Sequence, residues 1–293
     1  MLRSLFWIFF IILQAHTAQA KLQIFACTAE WASLAREITQ DKANITLAVK
    51  PLHDAHDLTV KPSLINKAKK ADLLICNGAS LEGNWLPKIL ESANNSKIMP
   101  GAAGHFIAAN YIELIELAEH HATDEHGHNH PDGNPHFYLN PHNLLIISKN
   151  FSNILSKIDP DNAKFYAKNE QDFANKLSAA ITKWAKQAAS LKNSKIVTIH
   201  KNYDYLLDWL ELEEITTIEK LPGVNPSLKY LLETKKLLDQ QQEPILALVS
   251  PFDNKTYAKW LAENTQAKII YLPYSPTSDL FNLFSDIIAK LDE

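Results

Sequence analysis

Short apolar runs alternate along the chain with stretches whose apolar residues recur every three or four positions. In the first half, the runs at 22–26, 45–49, 73–77 and 97–99 are β-compatible and predict strands. Between the first two, Trp31, Leu34, Ala35 and Ile38 share one face of a helix expected over 30–39. Pro62 and Ser63 open a second helical stretch at 63–70, and the Asn77-Gly78 turn signal precedes a third at 81–92. Strands and helices in alternation predict a parallel sheet with helices on both faces.

The stretch 160–191 breaks the rhythm. After Pro160 it holds no Pro or Gly, and Phe173, Leu177, Ala180, Ile181, Trp184, Ala188 and Leu191 form one apolar stripe. That pattern predicts a helix of ~30 residues, near 45 Å long at ~1.5 Å per residue. Its length and central position make it a rigid strut between two lobes. The alternation then resumes, with strands at 195–199, 215–218, 245–249 and 268–272, and helices at 203–210, 227–241, 255–264 and 279–291. The expected fold is α/β: two lobes, each a small parallel sheet flanked by helices, joined by one long helix. The divisions read as an N-terminal lobe at 21–159 with a His-rich loop at 119–135, the linking helix at 160–191, and a C-terminal lobe at 192–293.

The first residues change the picture of where such a protein works. Residues 1–20 read as a signal peptide, with Arg3 before an apolar run from Leu5 to Leu13 and a small-x-small site at Ala18-Gln19-Ala20. The run is shorter than the ~20 residues that span a bilayer, so cleavage near Ala20 and a periplasmic location are expected. A lipoprotein anchor would use Cys27, but Phe25 stands where a small residue is expected. Removing Arg3 takes the 29 basic side chains to 28, against 33 acidic ones. That balance, with no basic stripe, argues against a nucleic-acid partner. Cys27 and Cys76 end predicted strands. In an oxidising compartment they pair if those strands are neighbours, and otherwise remain buried thiols.

Histidine placement carries the candidate chemistry. Of 12 histidines, seven fall within 119–142: His120, His121, His126, His128, His130, His136 and His142. Open parallel sheets bind ligands outside the carboxyl ends of their strands. That rule selects His56 in the loop after the second strand, His136 in a Pro-flanked loop after the first lobe, and His200 at the end of the second lobe's first strand. Three imidazoles with an open fourth position suit Zn²⁺. His105 is a supporting candidate, and His142 reads as the start of a helix. His120, His121, His126, His128 and His130 read as an auxiliary loop that collects metal. Imidazoles of ordinary pKa, ~6.5, are largely neutral and metal-competent above about pH 7.

A family resemblance runs through these motifs. Asp54-Ala55-His56, then Pro62-Ser63-Leu64, then Ala71-Asp72-Leu73 leading to Asn77-Gly78, resemble the metal-binding solute-binding proteins of ABC importers for zinc and manganese. Asn134-Pro135-His136 resembles that family's second Asp-Pro-His motif, and His200 ahead of Tyr203 and Tyr205 resembles its third. The resemblance covers nearly the whole chain after residue 20. It implies His56, His136 and His200 as metal ligands, held between two lobes joined by a helical backbone. Three histidines favour zinc, since manganese members replace the third with a carboxylate. The family often adds an acid after the last strand, where this chain reads Tyr271-Leu272-Pro273. Water is one choice for the fourth ligand; Glu30, after the first strand, is the tentative protein ligand, with Asp279 and Glu219 behind it.

The expected function is capture of Zn²⁺ between the lobes and delivery to an inner-membrane ABC permease, by a monomer that is not an enzyme. Manganese or iron is the alternative ligand. An exported zinc hydrolase would use the same three histidines with a zinc-bound water, but no His-Glu-x-x-His or Gly-x-Ser-x-Gly pattern occurs. A metal chaperone acting without a permease is the third reading.

Overall fold

The computed structural model describes residues 20–115, 133–219 and 224–293. Residues 1–19 of the expected signal peptide and the auxiliary histidines His120, His121, His126, His128 and His130 lie outside them. In the first lobe, β1 (Leu22–Ala26), α1 (Ala29–Thr39), β2 (Ala43–Leu47), α2 (Pro62–Ala68), β3 (Leu73–Cys76), α3 (Leu86–Ala93) and β4 (His105–Ile107) follow in order. The strands pair in parallel as β2-β1-β3-β4. Two helices, α4 (Pro141–Ile158) and α5 (Ala163–Gln187), then lead to the second lobe. There β5 (Lys195–Thr198), α6 (Asp204–Leu210), β6 (Glu213–Thr217), α7 (Leu228–Asp239), β7 (Ile245–Val249), α8 (Lys255–Asn264) and β8 (Lys268–Tyr271) repeat the scheme, with parallel order β6-β5-β7-β8. The last helix is α9 (Leu280–Leu291).

Strand residues divide between two cores with period two. Ile24 and Ala26 of β1, with Leu73 and Ile75 of β3, face the central core. Their neighbours Phe25, Leu74 and Cys76 face an outer core closed by Trp85, Leu86 and Ile89. In the second lobe Ile196 and Leu248 point inward, while Val197, Ala247 and Val249 meet Tyr257 and Leu261 on the outside. Burial on both faces is why these strands read as unbroken apolar runs.

The central core belongs to both lobes. The α5 stripe Phe173, Leu177, Ile181 and Trp184 is buried in it. Helix α5 packs on α1 and α4 at one end and on α9 at the other. Trp184 lies 5.2 Å from Phe284 between ring centroids, and the Leu280 N–H donates to Ser33 Oγ at 3.2 Å. With 3₁₀ turns at Pro160–Asn162 and Ala188–Leu191, α5 is the long helix that joins the lobes.

Two local expectations are corrected. The fourth strand lies at His105–Ile107 rather than at 97–99. Residues 97–99 form a turn, in which the Ile98 N–H donates to Asn95 O at 3.1 Å and Met99 O accepts from the Ala102 N–H at 2.9 Å. Gly104 then lets the chain pass so close to its neighbours that a Cβ there would lie 2.4 Å from Asp72 O and 2.6 Å from Lys97 O. Helix α3 starts at Leu86 rather than 81, because the Glu82 carboxylate folds back onto the Asn77 and Gly78 N–H groups at 2.7 and 2.9 Å. Cys27, just past β1, and Cys76, the last residue of the neighbouring parallel strand β3, have Cα atoms 4.8 Å apart, and their sulfurs are bonded.

Candidate metal centre

Three loops at carboxyl strand ends converge between the lobes. The first leaves β2 and carries His56. Asp54 Oδ1 accepts the His56 N–H at 2.8 Å, and Trp85 Nε1 donates to Ala55 O at 2.8 Å. An Asx turn and an indole clamp thus set the backbone of an otherwise irregular loop.

The second carries His136, which is buried. Asn134 organises it: its Oδ1 accepts the His136 N–H at 2.9 Å, and its Nδ2 donates to Lys201 O at 2.8 Å and to Asp204 Oδ2 at 3.1 Å. Asn77 Nδ2 donates to Pro135 O at 2.9 Å. The Tyr205 hydroxyl donates to Asn134 O at 3.1 Å and accepts the Ile115 N–H at 2.7 Å. Because Lys201, Asp204 and Tyr205 belong to the second lobe, this loop is fastened to both lobes.

His200 comes just after β5. Its Nδ1 lies 3.1 Å from Glu219 Oε2. An ionised carboxylate only accepts, so this contact assigns the proton to Nδ1 and leaves the Nε2 lone pair for another partner.

The three imidazoles line one cleft of about 220 Å³, together with Asp54, Asn202, Glu219, Asp253 and Tyr274. The His56 and His136 ring centroids are 6.4 Å apart, as are those of His136 and His200, with the planes near perpendicular at 81° and 72°. Rings sharing one tetrahedral ion at ~2.0–2.1 Å have centroids roughly 5–5.5 Å apart. The rings therefore need to draw in by roughly 1 Å to hold one zinc together. The Tyr274 hydroxyl lies 2.6 Å from His136 Nδ1. Burial pushes this phenol well above its usual pKa, so it stays protonated.

Burial also governs the carboxylates around the cleft. It pushes Asp253 up to about 6, against the pull of hydrogen bonds from Ser250 and the field of His200. Asp204 likewise rises to about 6 through burial, opposed chiefly by Lys201. Behind the first lobe's sheet edge, burial raises Glu82 to about 7 despite its two backbone N–H donors.

The structure brings His56, His136 and His200 together but does not bring Glu30 into their cleft. Glu30 sits in the first turn of α1, buried, with its pKa raised by burial against the nearby Thr28 and Ser275 hydroxyls. It is not among the residues lining the cleft, although its charge reaches Tyr274 and Tyr138 and helps raise their pKa values. Asp279 caps α9 by accepting the Asn282 N–H at 2.9 Å. His105 Nδ1 turns to Ile98 O at 2.7 Å, and His142 stands in the first turn of α4. Among the described residues, the tightest gathering of ligand-type atoms is Cys27, Cys76 and Glu82, within 4.8 Å of one another. Its two sulfurs are spent on each other.

Sequence reasoning passed over Asp253 and Tyr274. Both follow strands of the second sheet at their carboxyl ends, β7 and β8. The rule that selected His200 would have selected them too.

Two α/β lobes on a shared helix, with a histidine-lined cleft between them, define a solute-binding protein of the metal-importing kind. The chain belongs to the family described as zinc-uptake complex component A, periplasmic (ZnuA), which it matches over residues 24–283. It is a metal-binding substrate-binding protein of an ABC importer, a transport component that works with a membrane permease. It is 27% identical to the manganese ABC transporter substrate-binding lipoprotein PsaA of Streptococcus pneumoniae serotype 4, across 86% of this chain and 80% of that protein. Its fold superposes on a zinc-bound deletion mutant of ZnuA with a TM-score of 0.77 at 16% identity, covering 93% and 97% of the two chains. It also superposes on the manganese-bound periplasmic metal binding protein from candidatus liberibacter asiaticus, with a TM-score of 0.75 at 19% identity over 93% and 98%.

Proposed function

We propose that this protein captures Zn²⁺ in the periplasm and hands it to an inner-membrane ABC permease. His56, His136 and His200 are the ligands, and the working form is a monomer. One observation supports zinc above all. The ring on β5's carboxyl end is an imidazole with its Nδ1–H held by Glu219, so the third donor is a nitrogen. Ligands drawn from both lobes tie the lobes together when the ion binds, and docking to the permease releases it by moving them apart. The segment with His120, His121, His126, His128 and His130 serves as a weak collecting site.

The test is a competitive metal titration of residues 21–293 with the metal content read by mass spectrometry. One equivalent of tightly held zinc is expected, lost in His136→Ala, His56→Ala and His200→Ala. Undiminished zinc affinity in those variants would refute the site. Manganese is the second reading: the PsaA relative is named for manganese, and Asp253 and Glu219 offer oxygen at the cleft. A preference for Mn²⁺ over Zn²⁺ in the same titration would establish it. Deleting 120–130 should lower capture at scarce zinc; unchanged capture would make the segment passive.

A further inference from the structure

Three carboxylates line the cleft: Asp54, Glu219 and Asp253. Two already have tasks. Asp54 Oδ1 holds the His56 backbone N–H. Glu219 Oε2 holds His200 Nδ1, and an ion bound by that ring's Nε2 lies on the ring's opposite edge, away from this oxygen. Asp253 too holds a backbone N–H with one oxygen; what sets it apart is its place beside His200. It leaves the carboxyl end of β7, the strand beside β5, so it approaches the cleft next to His200. Its Oδ2 accepts the Ser250 N–H at 2.6 Å, which fixes the carboxylate at the cleft wall. On β8, the next strand over, the corresponding loop contributes Tyr274 and no acid.

We infer that Asp253 supplies the oxygen ligand that completes the three-histidine set, while Glu219 positions His200 by holding its Nδ1–H. This rests on the proposed zinc reading and extends it. Three neutral imidazoles leave the full double charge on a bound dication, in a cleft partly shut off from water; one carboxylate halves it. An oxygen on a short Asp side chain anchored to its own turn costs little ordering when the ion arrives. Two of the four donors then come from the second lobe. Three nitrogens and one oxygen in a tetrahedral shell favour zinc over manganese, which prefers more oxygens and higher coordination.

The test uses residues 21–293, with zinc alone as the probe. Asp253→Ala should weaken zinc binding by at least about 100-fold and Glu219→Gln by about 10-fold. The distinguishing readout is Asp253→Cys, where X-ray absorption should show a zinc–sulfur distance of ~2.3 Å. Glu219→Cys should show nitrogen and oxygen neighbours only. Asp253→Asn, nearly isosteric, guards against misfolding: it should bind more weakly than wild type while the metal-free protein melts no lower. Wild-type affinity in Asp253→Ala, or no sulfur neighbour in Asp253→Cys, would overturn the assignment. His136→Ala is run alongside. If it loses zinc while Asp253→Ala does not, only the fourth-ligand assignment fails; if it too binds normally, the cleft reading itself fails.

Discussion

Replacing Tyr205 by phenylalanine removes one oxygen from the joint between the lobes and leaves the ring in place. That oxygen accepts the Ile115 N–H at 2.7 Å and donates to Asn134 O at 3.1 Å. The tyrosine is buried, and its ring packs 6.4 Å from that of Phe137 between centroids. The variant therefore strands one backbone donor and one backbone acceptor. An intramolecular hydrogen bond is worth about 1 kcal/mol net, and an abandoned partly buried partner costs about 1–3. Because the Ile115 N–H is only partly buried while Asn134 O is buried, the sum comes to about 2 kcal/mol rather than the upper limit. For a chain of this size that is a drop in melting temperature of about 4–6 °C. Asn134 also holds the His136 N–H, so zinc affinity should fall with stability, by a few-fold. The assays are urea unfolding of the metal-free protein and a zinc competition titration. A loss below about 0.5 kcal/mol, within the error of extrapolation, with zinc affinity unchanged, would refute the account of this joint.

Three further outcomes are expected. Glu82, Asp204 and Asp253 have folded-state pKa values raised to about 7, 6 and 6 from 4.5, 3.8 and 3.8. The folded protein thus holds protons that the unfolded chain releases, and stability present below about pH 4 is lost as pH rises towards 7. The Glu82 share is about 3 kcal/mol, so the metal-free melting temperature should fall across that range, and less steeply in Glu82→Gln. Reducing the Cys27–Cys76 bond opens a loop closed across a separation of 49 residues; the chain-entropy model gives a loss of about 4 kcal/mol, read by urea unfolding with and without reductant. Zinc at about 1,000 times its dissociation constant should add about 4 kcal/mol, visible as a shift of the unfolding midpoint in wild type and none in His136→Ala.

Much of this architecture is legible in the chain because both-face burial writes strands as apolar runs and α5 as a stripe. The strand at His105–Ile107 is not legible. Three residues are too few to show a period, and what places them is the close passage at Gly104, a tertiary fact. The three histidines are legible for a different reason: each ends a strand or sits in a Pro- or Asp-marked loop. Glu30 satisfies the same sequence rule, yet it is buried in the first turn of α1 and does not line the cleft. Being near a strand's end does not say which way the following helix turns its first carboxylate. Asp253 satisfies the rule and lines the cleft, one strand over from the acid-free Tyr271-Leu272-Pro273 stretch.

The return of α9 to the first lobe has a consequence for how the chain is made. Trp184, Phe281 and Phe284 close the far end of the linking helix, and the Leu280 amide reaches Ser33 near the beginning of the chain. The first lobe therefore gains one of its packing partners only when the last dozen residues exist. A nascent chain short of Leu280 shows a bare apolar face on α5, which a holding chaperone can grip during export. With the final helix packed on α1, α5 and β8, both lobes should melt as one cooperative unit, and an ion bound in the cleft should protect the whole chain against proteolysis rather than a single half.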